Sequence, residues 1–370
     1  MSKPGRGRPT ILSVVGARPN FMKAAPVTRA LEKAKRYNLR LCHTGQHYDD
    51  NMSKIFFDDL RLPRPDIHLG VGSGAHGEQT GRVMIAFEEV LLAERPDLVI
   101  VVGDVNSTMA CTLVSVKMGV PVAHVEAGLR SFDRTMPEEI NRMVTDILCA
   151  LLFTTSPEAE TNLLREGVDA DKIHFVGNVM IDSLRFYAEA AERSTILDQM
   201  GLAPGGYGLV TLHRPSNVDD PAVLARIVDA LSAIGADRRL IFPVHPRTRK
   251  VLAEAGLQVS PDRLRLVDPI GYLDFMKLMR YSSLVLTDSG GIQEETTALG
   301  IPCLTIRENT ERPVTVEVGT NVLVGMDRDR IVAEAGRILG QGKTTGRVPD
   351  LWDGRAAERI AAVIAAFFGG

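Results

Sequence analysis

Aromatic residues are scarce in this chain: six Tyr, twelve Phe and a single Trp, 5% of 370 residues. Single-stranded nucleic acid is held by stacking bases on exposed rings, so such a partner is not expected. Charge of one sign is lacking too. The 43 basic and 46 acidic residues leave a net charge of −3, no electrostatic footprint for nucleic acid or an anionic membrane. The four cysteines, Cys42, Cys111, Cys149 and Cys303, are far apart, without the close spacing of a zinc site. Three of them, Cys111, Cys149 and Cys303, sit in apolar runs and read as small core residues, a usage that fits a reducing cytoplasm. There is no HExxH, and neither a metal nor a cofactor is expected. Long apolar runs are missing as well. The basic stretch MSKPGRGRPT leads only into Ile11–Val15, and Arg355–Phe368 is amphipathic, short and charged; neither a signal peptide nor a membrane span is expected.

What the chain does have is a steady alternation of short β-branched runs with helical periodicities. Its length is large for one core and points to two domains. Strands are predicted at Ile11–Gly16, Leu39–Thr44, Leu98–Val102, Val120–Val125 and Leu151–Thr154, then at Ile173–Val176, Gly208–His213, Arg239–Val244, Leu264–Val267, Leu284–Thr287 and Cys303–Ile306. These runs are continuously apolar, the mark of strands buried on both faces in parallel sheets covered by helices. The fold class is therefore α/β, with two Rossmann-like, doubly wound parallel-sheet domains facing a cleft. The pattern restarts near Gly177-Asn178. That places a first domain at 1–177, joined by a returning helix at 355–370, and a second at 178–354. Polar or glycine residues follow most strands (Gly16-Ala17-Arg18, Gly45-Gln46-His47, Gly103-Asp104, Glu126-Ala127-Gly128, His213-Arg214, His245-Pro246-Arg247, Asp288-Ser289), and ligands of open α/β sheets bind at those carboxyl ends.

The stretch LVLTDSGGIQEETTALGIPCLTIRENTER, Leu284–Arg312, carries the strongest local signal. A buried strand breaks at Asp288-Ser289-Gly290-Gly291 and a helix follows. Glycines there allow close backbone approach, and a helix start offers free N–H donors and partial positive charge, which suits phosphate. Glu295 stands where a carboxylate accepts from ribose hydroxyls, and Arg312 offers a planar fork for phosphate. An ordinary turn capped by Ser289 is the plainer explanation; the joint occurrence of glycines, acid and arginine favours a nucleotide-diphosphate site. By contrast, Gly72-Ser73-Gly74-Ala75-His76-Gly77 matches G-x-G-x-x-G but follows a poor strand, Asp66–Gly70. The acid at the right distance, Glu94, falls in a helix, so this is read as a loop and not a nicotinamide site.

Acids mark the first half. Asp104 and Glu126 end consecutive strands, and Glu138 opens a helix after Pro137, sharing a face with Asn141 and Arg142. The three carboxylates are expected to crowd one wall, where like charge raises at least one pKa and makes a proton carrier. His213 ends a strand of the second half and is placed opposite them. Arg18 and Lys23 bring cations to the first helix start, unfavourable there without an anion to bind.

Taken in order, the segments GARPNFMKAAPV, TGQHYDDNM, VGDVNSTMA, HVEAGLRS, MPEEINR, TLHRPSN and TDSGGIQEE…ERP resemble the non-hydrolysing UDP-N-acetylglucosamine 2-epimerase family. The likeness runs from about Ile11 to Val324. It implies a GT-B architecture, a cytoplasmic homodimer and a UDP-sugar substrate. It also implies inversion at C2 by anti elimination of UDP to a 2-acetamidoglucal, followed by re-addition. Matched position by position, Asp104, Glu126, Glu138 and His213 would be catalytic. Arg18, Lys23, Phe275, Ser289, Gly290, Gly291, Glu295 and Arg312 would bind the UDP-sugar. Gln46, His47, Arg214 and His245 would form an activator site. The short linker GLRSFDRTMP and Ile270, where the best-known bacterial members carry Gln, depart from the pattern. The linker keeps a modified substrate such as UDP-2,3-diacetamido-2,3-dideoxy-glucuronic acid as an alternative. A hydrolysing epimerase and a GT-B glycosyltransferase are weaker alternatives.

Overall fold

The computed structural model describes residues 7–45, 64–257, 259–341 and 346–369. The chain forms two compact units, Met1–Ser183 with Asp350–Gly370, and Leu184–Pro349. The first alternates β1 (Thr10–Val15), α1 (Arg18–Ala34), β2 (Asn38–His43), β3 (Ile67–His68), α2 (His76–Glu94), β4 (Leu98–Val102), α3 (Asn106–Lys117), β5 (Val122–Ala127), α4 (Pro137–Leu148), β6 (Leu151–Thr154), α5 (Pro157–Arg165) and β7 (Ile173–Phe175). Helix α6 (Val179–Glu192) contains the boundary between the units. The second unit continues with α7 (Ile196–Met200), β8 (Gly208–Thr211), α8 (Pro215–Val218), α9 (Pro221–Asp237), β9 (Leu240–Pro243), α10 (Pro246–Glu254), β10 (Leu264–Val267), α11 (Tyr272–Arg280), β11 (Val285–Thr287), α12 (Gly290–Leu299), β12 (Cys303–Thr305), α13 (Val314–Glu317), β13 (Asn321–Leu323) and α14 (Arg328–Gln341). The last helix, α15 (Ala356–Phe367), belongs to the first unit, packs on α1, and is capped by the Asp182 carboxylate, which accepts from the Ala356 and Ala357 amides at 3.2 and 2.9 Å.

Among the described residues, every strand pairing is parallel. The first sheet has seven strands in the order β3-β2-β1-β4-β5-β6-β7, the second six in the order β10-β9-β8-β11-β12-β13. Each order reverses once, between β1 and β4 and between β8 and β11, and the carboxyl edge beside such a reversal is where open sheets bind ligands. Strands β4 and β5 are buried along their whole length, as continuous apolar runs covered on both faces must be. Strand β5 starts two residues later than predicted, because Pro121 has no N–H for the ladder. Two short edge strands, β3 and β13, were not predicted, having too few apolar residues to stand out. The G-x-G-x-x-G stretch runs from a loop into the start of α2, as read from its sequence. Among the described residues, no helix is long and apolar enough to cross a membrane.

Candidate active site

In the first unit the chemistry gathers at the carboxyl ends of β4 and β5. After β4 the chain turns at Gly103, whose φ of +68° suits glycine; an added Cβ would lie 3.2 Å from both Asn20 Nδ2 and Lys23 Nζ of α1. Asn20 explains the GARPN segment. Its Oδ1 accepts from the Gly16 and Ala17 amides at 3.1 and 2.8 Å, satisfying donors that Ala17 cannot cap, while Nδ2 donates to the Val102 carbonyl at 3.0 Å. One turn on, the Lys23 ammonium pairs with the Glu126 carboxylate. Both are buried, 8% and 5% exposed, so the pair lies largely out of water. Arg18 opens α1 on the same turn.

Asp104 is met by the Arg142 guanidinium from α4. Asn141 Nδ2 adds bonds to the Asp104 carbonyl at 2.9 Å and to Asn106 Oδ1 at 3.2 Å. Arg142 is itself oriented by buried Glu139, at 2.8 Å from Nη2. Glu139 also accepts from the Ser131 and Phe132 amides, each at 2.9 Å, fastening the loop after β5. Burial works to raise its pKa, but these bonds and Arg142 outweigh it and hold it low. The expected crowding of bare carboxylates is therefore not how this wall is built. Asp104 and Glu126 end neighbouring strands, but α1 and α4 each bring a cation to one of them. Glu138 is exposed in the first turn of α4, one turn before Asn141 and Arg142.

In the second unit the reversal between β8 and β11 holds Asp288, fully buried. Its carboxylate accepts from the His213 amide at 3.0 Å, the Arg214 amide at 2.9 Å and Asn217 Nδ2 at 3.1 Å, and lies 2.9 Å from His213 Nδ1. Burial opposes ionisation of Asp288; the contact with His213 and the amide bonds prevail and hold the group below its ordinary value. His213 itself is 59% exposed in its side chain. Ser289 holds the N-cap position of α12 without a side-chain capping bond, and Gly290 and Gly291 lie in the first turn. Gly290 packs against Arg312: an added Cβ would lie 2.4 Å from Nη1. The Arg312 fork is occupied by Glu294, at 2.7 Å, and by Glu311, so its charge is held in place beside the α12 start. Glu311 also meets Arg307 at 2.8 Å; burial notwithstanding, Arg312 and Arg307 keep it ionised far below the usual range. Glu295 is buried in α12 and accepts from the Tyr272 hydroxyl at 3.0 Å. Phe275, on α11, packs partly buried against the core under β8 and β11. Arg214 donates through Nε to the Asp288 carbonyl at 3.1 Å, and His245 is exposed as the cap of α10. Gln46 and His47 lie outside the described residues.

Glu139 and Glu311 were not singled out from the sequence, and Asp288 was read only as the polar end of its strand. For Glu139 a signal exists: with Arg142 and Asp146 it forms a charged stripe at helical spacing in α4. For Asp288 the strand-end position was legible, but its pairing with His213, 75 residues away, was not.

Comparison with known proteins places this geometry. The family model described as UDP-N-acetylglucosamine 2-epimerase matches residues 29–365. A UDP-N-acetylglucosamine 2-epimerase of Methanocaldococcus jannaschii is 44% identical over 365 residues, 95% of this chain and 97% of that protein. A UDP-2,3-diacetamido-2,3-dideoxy-D-glucuronate 2-epimerase of Pseudomonas aeruginosa is 45% identical over 360 residues, 96% of this chain and 99% of that protein. The crystal structure of the M. jannaschii enzyme in complex with UDP-GlcNAc and UDP matches with a TM-score of 0.89 at 44% identity, covering 96% of this chain and 99% of that one. The fold is of the GT-B-like class, built of two parallel-sheet α/β units. The chain belongs to the UDP-N-acetylglucosamine 2-epimerase family.

Proposed function

We propose that this protein inverts C2 of UDP-N-acetylglucosamine to give UDP-N-acetylmannosamine without net hydrolysis. A base removes the C2 proton, the C2–H electrons form the C1=C2 bond, and the C1–O bond breaks with its electrons leaving on UDP. Re-addition of the same UDP oxygen to C1, with protonation of C2 on the other face, completes the inversion. This chemistry needs a carboxylate ionised at neutral pH, a second proton carrier and a firm hold on UDP. The observation that carries the reading is the pair of adjacent strand ends where Glu126 is set against Lys23 and Asp104 against Arg142. Each carboxylate is fixed at its strand end by a cation from a neighbouring helix. Glu138 and His213, the latter oriented by Asp288, are the further proton carriers of this proposal. The α12 start, Ser289–Gly291, receives the diphosphate, supported by the held charge of Arg312. Glu295 takes the ribose, Phe275 flanks the nucleotide, and Arg18 and Lys23 are assigned to the sugar.

A second substrate, UDP-2,3-diacetamido-2,3-dideoxy-glucuronate, is favoured by one specific observation, the 45% identity to the P. aeruginosa relative named for it. Proton NMR in deuterated water with each sugar nucleotide separates the readings. The manno epimer deuterated at C2, without accumulating UDP, is the expected result from UDP-N-acetylglucosamine. Deuteration of the uronate alone would transfer the proposal to that substrate, and free UDP with N-acetylmannosamine would replace it with a hydrolysing route. Asp104→Asn, Glu126→Gln, Glu138→Gln and His213→Asn are each expected to cost at least about 100-fold in rate, as loss of an acid–base group does.

A further inference from the structure

Strand β5 does not run straight to its end. Glu126 has a φ of +74°, in the left-handed region that side chains other than glycine rarely adopt. Pairing with β6 steps over it: Val125 faces Phe153 and Ala127 faces Thr154. Bulges of this kind re-aim a side chain, and the strained residue persists only where its surroundings enforce it.

One carboxylate holds the chain on both sides of the bulge. Asp146, buried on α4, lies 2.6 Å from His124 Nδ1 through Oδ1, and its Oδ2 accepts from the Gly128 amide at 3.1 Å. It thus grips β5 two residues before Glu126 and the chain two residues after. Gly128 admits no substitute, since a Cβ would stand 2.3 Å from the Ala159 carbonyl oxygen. The other ring nitrogen, His124 Nε2, lies 2.9 Å from the carbonyl of Gly103, the residue before Asp104. A carbonyl can only accept. The Asp146 carboxylate is met by donors from other groups as well, Arg130 at 2.7 Å and the Gly128 amide at 3.1 Å, which leaves it an acceptor toward the ring. Both ring nitrogens therefore face acceptors. Arg130 in turn donates to Glu166 at 2.8 and 2.6 Å, which anchors it beside Asp146.

We propose that His124 and Asp146 are a positioning pair, in which a buried imidazolium ties the Glu126 bulge to the Gly103–Asp104 turn and fixes the spacing of the two carboxylates. Neither residue is assigned contact with substrate. The proposal rests on the reading of Asp104 and Glu126 as proton carriers, and its test separates the two. In the full-length protein labelled with ¹⁵N-histidine, one ring is expected to show both nitrogens protonated, and its signals should vanish in His124→Gln. A neutral ring at that position would overturn the proposal whether or not the protein turns over a UDP-sugar. In His124→Gln and Asp146→Asn, kcat for C2 deuterium exchange is expected to fall about 100-fold, the scale of a small misplacement of reacting groups, with KM little changed. Folded variants with full kcat, or with a loss confined to KM, would reject the pair as positioning residues. Should His124→Gln fail to fold, Asp146→Asn and the wild-type ring signals decide. Absence of turnover in the wild type would instead remove the functional reading, leaving the ring signals to judge the imidazolium.

Discussion

Glu295 is the residue whose charge is least settled by its neighbours. Burial pushes its carboxyl up to about 7, Glu294 adds to the rise, and the Tyr272 hydroxyl works against it. In the unfolded chain the group titrates in the ordinary carboxylate range, so between there and 7 the native state binds the extra proton. Stability from this residue is thus fully present at low pH and is lost as pH rises through that window. Glu295→Gln is expected to flatten the decline, read as urea midpoints at about pH 5 and about pH 8. A variant that keeps the wild-type slope would show that another group titrates there. Under the proposed function, ribose hydroxyls donate to the ionised form, so UDP binding should tighten as pH rises through 7 in the wild type and lose that dependence in the variant.

Helix α4 shows how an element can carry polar residues inward. Proline at its first turn fixes the start, and the stripe Glu139, Arg142, Asp146 recurs at helical spacing on the buried face. Each member holds something outside the helix: Glu139 the Ser131–Phe132 loop, Arg142 the Asp104 carboxylate, Asp146 the bulge of β5. Glu139→Gln removes one partner of a buried ion pair and leaves Arg142 half-supported. The expected loss is about 3 kcal/mol in urea unfolding, with a fall in kcat as Arg142 shifts from Asp104. A change below about 0.5 kcal/mol would mean the loop is anchored by other contacts. At this scale the sequence was a good guide wherever a run of apolar residues or a strand-end glycine marked the element. All the longer strands, and the polar ends of β4, β5, β8 and β11, were legible in that way. What was not legible came from partners brought together only by folding. Lys23 and Glu126 are 103 residues apart, and no periodicity reveals that a cation rather than another acid faces Glu126. His213 likewise reads as a lone strand-end histidine until Asp288 is placed beneath it.

At the scale of the whole molecule, each unit has a hydrophobic core of its own. One cluster, from Leu12 to Ile173, lies wholly in the first unit; two others, spanning Val210–Ile338 and Ile196–Cys303, lie wholly in the second. Separate cores are the condition for separate unfolding, so calorimetry should resolve two transitions instead of one. The residues assigned to the nucleotide, Phe275, Ser289–Gly291, Glu295 and Arg312, all fall within Leu184–Pro349. A ligand bound by native structure alone stabilises what it binds by about 2.7 kcal/mol at a hundredfold excess over its Kd. UDP is therefore expected to raise the midpoint of one transition and leave the other nearly in place. Gly290→Ala, which drives a Cβ into the Arg312 guanidinium, should abolish that selective shift. An equal shift of both transitions would show that nucleotide is held by both units, and no shift at all would remove UDP from the assignment of α12.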